Sequence, residues 1–217
     1  MIELLKGDCL EVMKNIPDGS IDAIICDPPY GTTACNWDSV IPFEAMWEQL
    51  NRIIKPNGAI VLFGSEPFSS ALRMSNIKNY KYDWVWDKIQ PSNFLNAKIQ
   101  PLRQHEVISV FYKKQPTYNR QFADRPIKDQ RPNAVRNKKN QRNQSGQEHT
   151  GEHVLGYSLD YDYTKVNPKS ILSITRQPKR TKLKHPTQKP VLLMEYLIKT
   201  YTNEGETVLD FTMGSGT

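Results

Sequence analysis

Apolar and polar positions change period several times along the chain, and the first third alternates between the two-residue rhythm of strands and the 3.6-residue rhythm of helices. Ile2 to Leu5 reads as a short strand ending at Lys6-Gly7-Asp8. Ile21 to Cys26 reads as a second strand, stopped by Asp27-Pro28-Pro29 because proline cannot donate to a central ladder. Between them, Cys9 to Ile16 predicts a short helix closed by the turn residues Pro17-Asp18-Gly19. Phe43, Met46, Trp47, Leu50, Ile53 and Ile54 recur at helical spacing until Pro56-Asn57-Gly58, and Ala59 to Phe63 has the apolar run of a buried strand. Tyr82 to Trp86 and Glu106 to Tyr112 are strand-like and could pair as an antiparallel edge. Near the end, Leu193, Tyr196, Leu197 and Tyr201 share a helical face, Asn203-Glu204-Gly205 turns, and Thr207 to Phe211 is a strand entering Met213-Gly214-Ser215-Gly216. This succession predicts an α/β fold, a mostly parallel sheet with helices on both faces.

From Lys113 to about Lys184 the periodicity fades into Asn, Gln, Lys, Arg and Pro, with RNKKNQRNQSGQ at its centre and one strand candidate at Ser170 to Ile174. Charge sharpens that boundary. Lys113 to Lys189 holds 18 Lys and Arg against 6 Asp and Glu, a balance of +12 in a chain of net charge +6, so the remainder carries −6. Such segregation suits a surface that tracks phosphates, and Arg136, Lys138, Lys139, Arg142, Arg176, Lys179 and Arg180 are the candidate nucleic-acid contacts. The plainer alternative is a solvated basic loop. With 217 residues a sizeable core can form, and Cys9, Cys26 and Cys35 make no CxxC pair, which fits reduced thiols in a cytoplasm rather than a disulfide scaffold. No apolar run reaches the length of a membrane span, so a cytoplasmic protein without a membrane partner is expected. His149 and His153 are four apart, but Gly146 and Gly151 argue against a helix there, and no metal site is expected. Tyr157, Tyr161 and Tyr163 could stack on bases or simply form a small edge strand.

Three strings carry chemistry. Asp27-Pro28-Pro29-Tyr30 stands at the carboxyl end of a strand, where open α/β sheets bind ligands. An exocyclic aromatic amine is a poor nucleophile because its lone pair is delocalised, and it improves when acceptors hold its hydrogens. The Asp27 carboxylate and the Pro28 carbonyl can be those acceptors, Pro29 stiffens the loop, and Tyr30 offers a face for an extruded base. A turn that merely ends the strand is the alternative. The second string, Asp210-Phe211-Thr212-Met213-Gly214-Ser215-Gly216-Thr217, is a strand followed by a glycine turn that lets a ligand approach the backbone; alone it could equally be a simple bend. The third, His185-Pro186-Thr187-Gln188-Lys189-Pro190, precedes a helix that Thr187 could cap, leaving amides free for a carboxylate.

Taken together, these strings resemble the β-class amino-methyltransferases, bacterial and phage DNA methyltransferases in which the catalytic motif precedes the cofactor motif. GDCLEVMKNIPDGSIDAIICDPPYG, IKPNGAIVLFGSEPFSSALR, HPTQKP and DFTMGSGT match that family in order and spacing, covering residues 1–113 and 184–217. The resemblance implies a Rossmann-like S-adenosylmethionine-dependent methyltransferase sheet with an inserted target-recognition region, and a base flipped out of double-stranded DNA. On this reading 1–113 is the catalytic half, 114–184 the basic insertion and 185–217 the start of the cofactor half. Asp27, Pro28, Pro29 and Tyr30 then correspond to the catalytic motif. The cofactor residues implied are Asp8, Cys9, Asp27, His185, Thr187, Lys189, Asp210, Thr212, Gly214, Ser215 and Gly216. An Asp in first place favours adenine N6 as the target over cytosine N4. In the family a helix, a strand ending in an acidic residue and a further helix follow the glycine loop, and this sequence stops at Thr217; it is expected to be either a fragment or a remnant that binds DNA without catalysis. A homodimer is left open as an assembly.

Overall fold

A computed structural model describes residues 2–32, 38–126, 164–176, 188–214 and 216. By backbone contacts the chain divides into one unit of 1–121 with 169–217 and a second of 122–168. In the first, a six-stranded sheet has β1 (Ile21–Cys26), β2 (Ile54–Gly64), β3 (Tyr80–Ser92), β4 (Arg103–Phe111), β7 (Ile171–Ser173) and β8 (Val208–Leu209), in the order β7-β3-β4-β2-β1-β8. β1 runs parallel to β2 and β8, β3 runs parallel to β7, and β4 is antiparallel to both of its neighbours. Only β4 is reversed, so its beginning lies at the edge where the other strands end. In the second unit, β5 (Ala123–Asp124) pairs antiparallel with β6 (Lys165–Val166).

Strand alternation sorts the core onto two faces. Ile24, Cys26, Ile60 and Leu62 pack with Met46, Leu50 and Ile53 of α2 (Phe43–Ile53) and with Phe68 and Leu72 of α3 (Phe68–Ser75). Their neighbours Ala23, Ile25, Ala59, Val61 and Phe63 pack on the opposite side, with Trp84, Trp86, Ile108 and Val110, against Leu193, Leu197 and Tyr201 of α4 (Val191–Tyr201). The buried Tyr201 hydroxyl accepts a hydrogen bond from Trp84 Nε1 at 2.7 Å, so this aromatic layer keeps its polar atoms paired.

The helices and strands expected from periodicity appear with altered bounds. The first helix is α1 (Cys9–Met13), shorter than expected, and Arg52 on α2 holds its end by donating to the carbonyls of Met13 (2.7 Å) and Ile16 (2.8 Å). Helix α2 stops at Ile53, not at the proline, because Ile54 already pairs with Ile21; β2 carries Pro56-Asn57-Gly58 as an irregularity before Ala59 pairs with Ala23. Gly58 is needed there, since a Cβ would stand 2.7 Å from the carbonyl oxygen of Asp22. β3 and β4 pair antiparallel, but they are not an edge: β7, the lone strand candidate of the basic stretch, hydrogen-bonds to the outer side of β3. Ile2 to Leu5 is not a strand. Among the described residues nothing pairs with it, and Ile2, Leu4 and Leu5 are exposed, because β8 takes the position beside β1 and no described strand lies beyond β8. Periodicity alone passed over α3, whose eight residues show too few turns to stand out.

Candidate active site

Strand direction brings the chemistry to one edge. Asp27 follows β1, Ser65 follows β2, Lys88 lies toward the end of β3, Arg176 follows β7, Asp210 follows β8, and Glu106 sits near the start of the reversed β4. Lys189 joins them from the segment leading into α4. The Asp27 carboxylate accepts hydrogen bonds from the Tyr30 hydroxyl on one oxygen and from Lys189 Nζ on the other. Lys189 Nζ also lies 3.4 Å from Glu106 Oε2, and Glu106 Oε1 lies 3.3 Å from Lys88 Nζ and 3.8 Å from Arg176. The result is a largely buried row of alternating charge, Asp27, Lys189, Glu106, Lys88.

The loop after β1 is fixed from three sides. Asp38 accepts from the backbone amides of Tyr30 (2.8 Å), Gly31 (2.9 Å) and Thr32 (2.9 Å). Thr212 donates its hydroxyl to the Asp27 carbonyl at 2.9 Å and meets the Cys26 thiol at 2.8 Å, tying the loop after β8 to the loop after β1. Tyr30 stacks on Phe68 with centroids 5.1 Å apart, so one face of its ring is already covered. Asp210 accepts from the Thr212 amide at 3.0 Å, and Gly214 (φ 58°) and Gly216 (φ 70°) take the left-handed conformations that a side chain would strain.

Local fields follow from these contacts. Burial works against the Lys189 ammonium, but the carboxylates of Asp27 and Glu106 outweigh it and raise its pKa. Burial likewise pushes the Glu106 carboxyl up, and Lys189 and Lys88 overcome that to hold it below the usual carboxylate range. Burial is the main cause of the high pKa of Tyr30, reinforced by Asp27, and of the raised pKa of Asp210. Because the folded Glu106 value is depressed, its contribution to stability is complete above the ordinary value of 4.5 and is lost as pH falls through the folded value. The melting-temperature gap between the wild type and Glu106→Gln is therefore expected to be constant near neutrality and to close on acidification below 4.5; thermal melts across that range measure it.

The structure thus brings together Asp27, Pro28, Pro29, Tyr30, Lys189, Asp210 and Thr212 from the expected set. Asp8 is engaged as the N-cap of α1, accepting from the Leu10 amide at 2.9 Å and the Glu11 amide at 3.4 Å, and Cys9 packs at the margin of the core. Pro190, not Thr187, occupies the N-cap position of α4. Arg176 is part of the Glu106 ion cluster. His185, Thr187, Ser215, Arg136, Lys138, Lys139, Arg142, Lys179, Arg180 and the His149/His153 pair lie outside the described residues. Glu106, Lys88 and Asp38 were missed by motif reasoning, although Lys88 is in register with Trp84 and Trp86 and Glu106 with Ile108 and Val110.

This mixed sheet, with the loops after β1 and β8 joined at its carboxyl edge, matches S-adenosylmethionine-dependent DNA methyltransferases of known structure. The N6/N4 DNA methylase family model matches residues 21–217, and the chain belongs to that family. It is 30% identical to type II methyltransferase M.HpaI of Haemophilus parainfluenzae and 25% identical to M.BamHI of Bacillus amyloliquefaciens, in each case over 99% of this chain. It spans 64% and 50% of those relatives' lengths. The crystal structure of an M1.HpyAVI–SAM complex superposes with a TM-score of 0.57 at 26% identity, covering 100% of this chain and 85% of that one. The cytosine-N4-specific PvuII DNA methyltransferase shares the fold with a TM-score of 0.58 at 16% identity, over 94% of this chain and 71% of the other. No described helix is long and apolar enough to cross a membrane.

Proposed function

We propose that the protein transfers a methyl group from S-adenosylmethionine to the exocyclic N6 of adenine in double-stranded DNA. The observation that carries this reading is the Asp27 carboxylate, anchored by Tyr30 and Lys189 on a loop that Thr212 joins to the glycine turn. Asp27 and the Pro28 carbonyl accept the two hydrogens of the flipped amine, turning its lone pair outward and stabilising the positive charge that develops as the new bond forms. Tyr30 holds the carboxylate through its hydroxyl, and its ring, backed by Phe68, forms a wall of the base site.

The residues present fit the cofactor. Among the described residues, nothing fills the side of the turn where a Cβ on Gly214 or Gly216 would point, and Asp210 provides a partly buried carboxylate at its start. When bound, S-adenosylmethionine supplies an electrophilic methyl group on a sulfonium. Asp in first place, rather than Ser, is what favours adenine over cytosine. Incubating the protein with labelled cofactor and DNA, then digesting to nucleosides, decides the matter: N6-methyl-2′-deoxyadenosine supports the reading, N4-methyl-2′-deoxycytidine transfers it to the other base, and no label overturns it.

DNA affinity is assigned to the basic insertion. Neutralising Lys138, Lys139 and Arg142 together is expected to weaken binding on every sequence and to flatten its salt dependence, because phosphate contacts carry no sequence information. Binding isotherms at several salt concentrations test this, and an unchanged slope would place the DNA path elsewhere.

A further inference from the structure

Both Asp27 oxygens are engaged in this structure, one by the Tyr30 hydroxyl and one by the Lys189 ammonium. That ammonium is a poor neighbour for the chemistry proposed above. It competes with the amine hydrogens for the same oxygen, and it repels the positive charge that builds on the amine nitrogen. Yet the Lys189 side chain is only 10% exposed, and a cation so buried is not released into an unpaired state without a large penalty. Another acceptor stands ready. Glu106 Oε2 is buried, has no hydrogen-bond partner among the described residues, and lies 3.4 Å from Lys189 Nζ. A shift of about 0.5 Å would bring that contact to the length of a charge-assisted hydrogen bond. Meanwhile Lys88 and Arg176 hold the other Glu106 oxygen, so the carboxylate is fixed from β3 and from the segment after β7.

We propose that Glu106 is a positioning residue that takes Lys189 over from Asp27 when the target amine arrives, freeing an Asp27 oxygen for the amine without stranding the buried cation. The proposal rests on the methyl-transfer reading. The groups facing Glu106 are Lys88, Arg176 and Lys189, and those facing Lys189 are Asp27, Glu106 and the rings of Tyr30 and Phe63. Their combined effect keeps Glu106 anionic and Lys189 charged at neutral pH, as a handover between two carboxylates requires.

Two measurements test it. Thermal melting should show a modest loss for Asp27→Asn, a larger one for Glu106→Gln because it also takes the carboxylate from the buried Lys88, and a loss in the double variant clearly larger than the sum, since only there does Lys189 lose both carboxylates. Additive losses would mean that the two do not share the lysine and would overturn the proposal. In steady-state assays, Glu106→Gln should lower kcat about tenfold or more, with KM for DNA and cofactor held within about twofold. Adding Lys88→Met removes the cation that Glu106 would otherwise only neutralise. If kcat then recovers, Glu106 serves Lys88 and the proposal fails; if it stays low, the action is on Lys189. Should Glu106→Gln not fold, Glu106→Asp keeps the charge while withdrawing the oxygen, and the same split is expected. A wild type that transfers no methyl group sinks the methyl-transfer reading, while the melting cycle still decides whether Asp27 and Glu106 share Lys189.

Discussion

Replacing Asp27 by alanine is expected to abolish methyl transfer while leaving DNA affinity near that of the wild type. The substitution removes one of the two acceptors proposed to turn the amine into a nucleophile, and loss of a single such electrostatic contact at a reacting centre typically costs about 10² to 10³ in rate. Here the loss should be at the upper end or beyond, because the same carboxylate orients Tyr30 and holds Lys189. Folding should survive, since Lys189 keeps Glu106 as a neighbour at 3.4 Å and the loop keeps its Asp38 and Thr212 bonds. DNA affinity should survive because no phosphate contact is assigned to Asp27. Single-turnover methyl transfer, measured beside equilibrium DNA binding, separates the two effects. Near-normal turnover by D27A would remove the mechanism proposed for this site.

Much of this arrangement was legible in the sequence because it depends on local signals. The bounds of β1 follow from an apolar run ended by two prolines, and its position fixes Asp27 at the carboxyl edge of the sheet. The glycine string and the string holding Lys189 were weaker signals, open to a simple bend and a capped helix start, and only the resemblance joined them to the site. What failed was whatever depends on a partner distant in sequence. Ile2 to Leu5 has the composition of a strand, but a strand needs a neighbour, and among the described residues that neighbour is missing. β7 looked like an isolated fragment in a basic stretch, and it became an edge strand because Trp86 donates to the Ile174 carbonyl at 2.8 Å while the ladder pairs it with β3.

Glu106 and Lys88 show a different limit. Each breaks the apolar alternation of its strand at an inward position, Lys88 two residues beyond Trp86 and Glu106 two before Ile108, and an inward charge in a strand demands a counter-charge. The period could have signalled that both are buried. It could not say that they meet, because their pairing rests on β3 and β4 lying side by side, with His105 opposite Asp87, and on Lys189 entering from 83 residues further along the chain than Glu106. The charge row is therefore a product of topology, assembled from one reversed strand among parallel ones.

That dependence makes Lys189 a position where a single change should damage the fold. In Lys189→Met the side chain keeps its length and loses its charge, and two carboxylates are left facing an apolar group. Exchanging a whole buried ion cluster for apolar residues can be harmless, but removing one partner strands the others and costs about 3 to 5 kcal/mol. The low end applies here, because the Asp27 side chain is 24% exposed and can recruit water, and Glu106 retains Lys88 and Arg176. For a chain of this size, 3 kcal/mol corresponds to a fall in melting temperature of roughly 6 to 12 °C. The sign of its pH dependence is also fixed. Since the folded pKa of Lys189 is raised above 10.5, its contribution is fully present below that value and is lost only as pH rises through the higher folded one. The gap between wild type and Lys189→Met should accordingly persist from neutral pH up to 10.5 and narrow beyond it, whereas Lys189→Arg, which keeps the charge, should show most of the wild-type stability. Thermal melts of the three proteins at neutral and alkaline pH give the comparison. An unchanged melting temperature in Lys189→Met would mean that Asp27 and Glu106 tolerate one another without a cation between them, and that the row of charges is no part of what holds the site together.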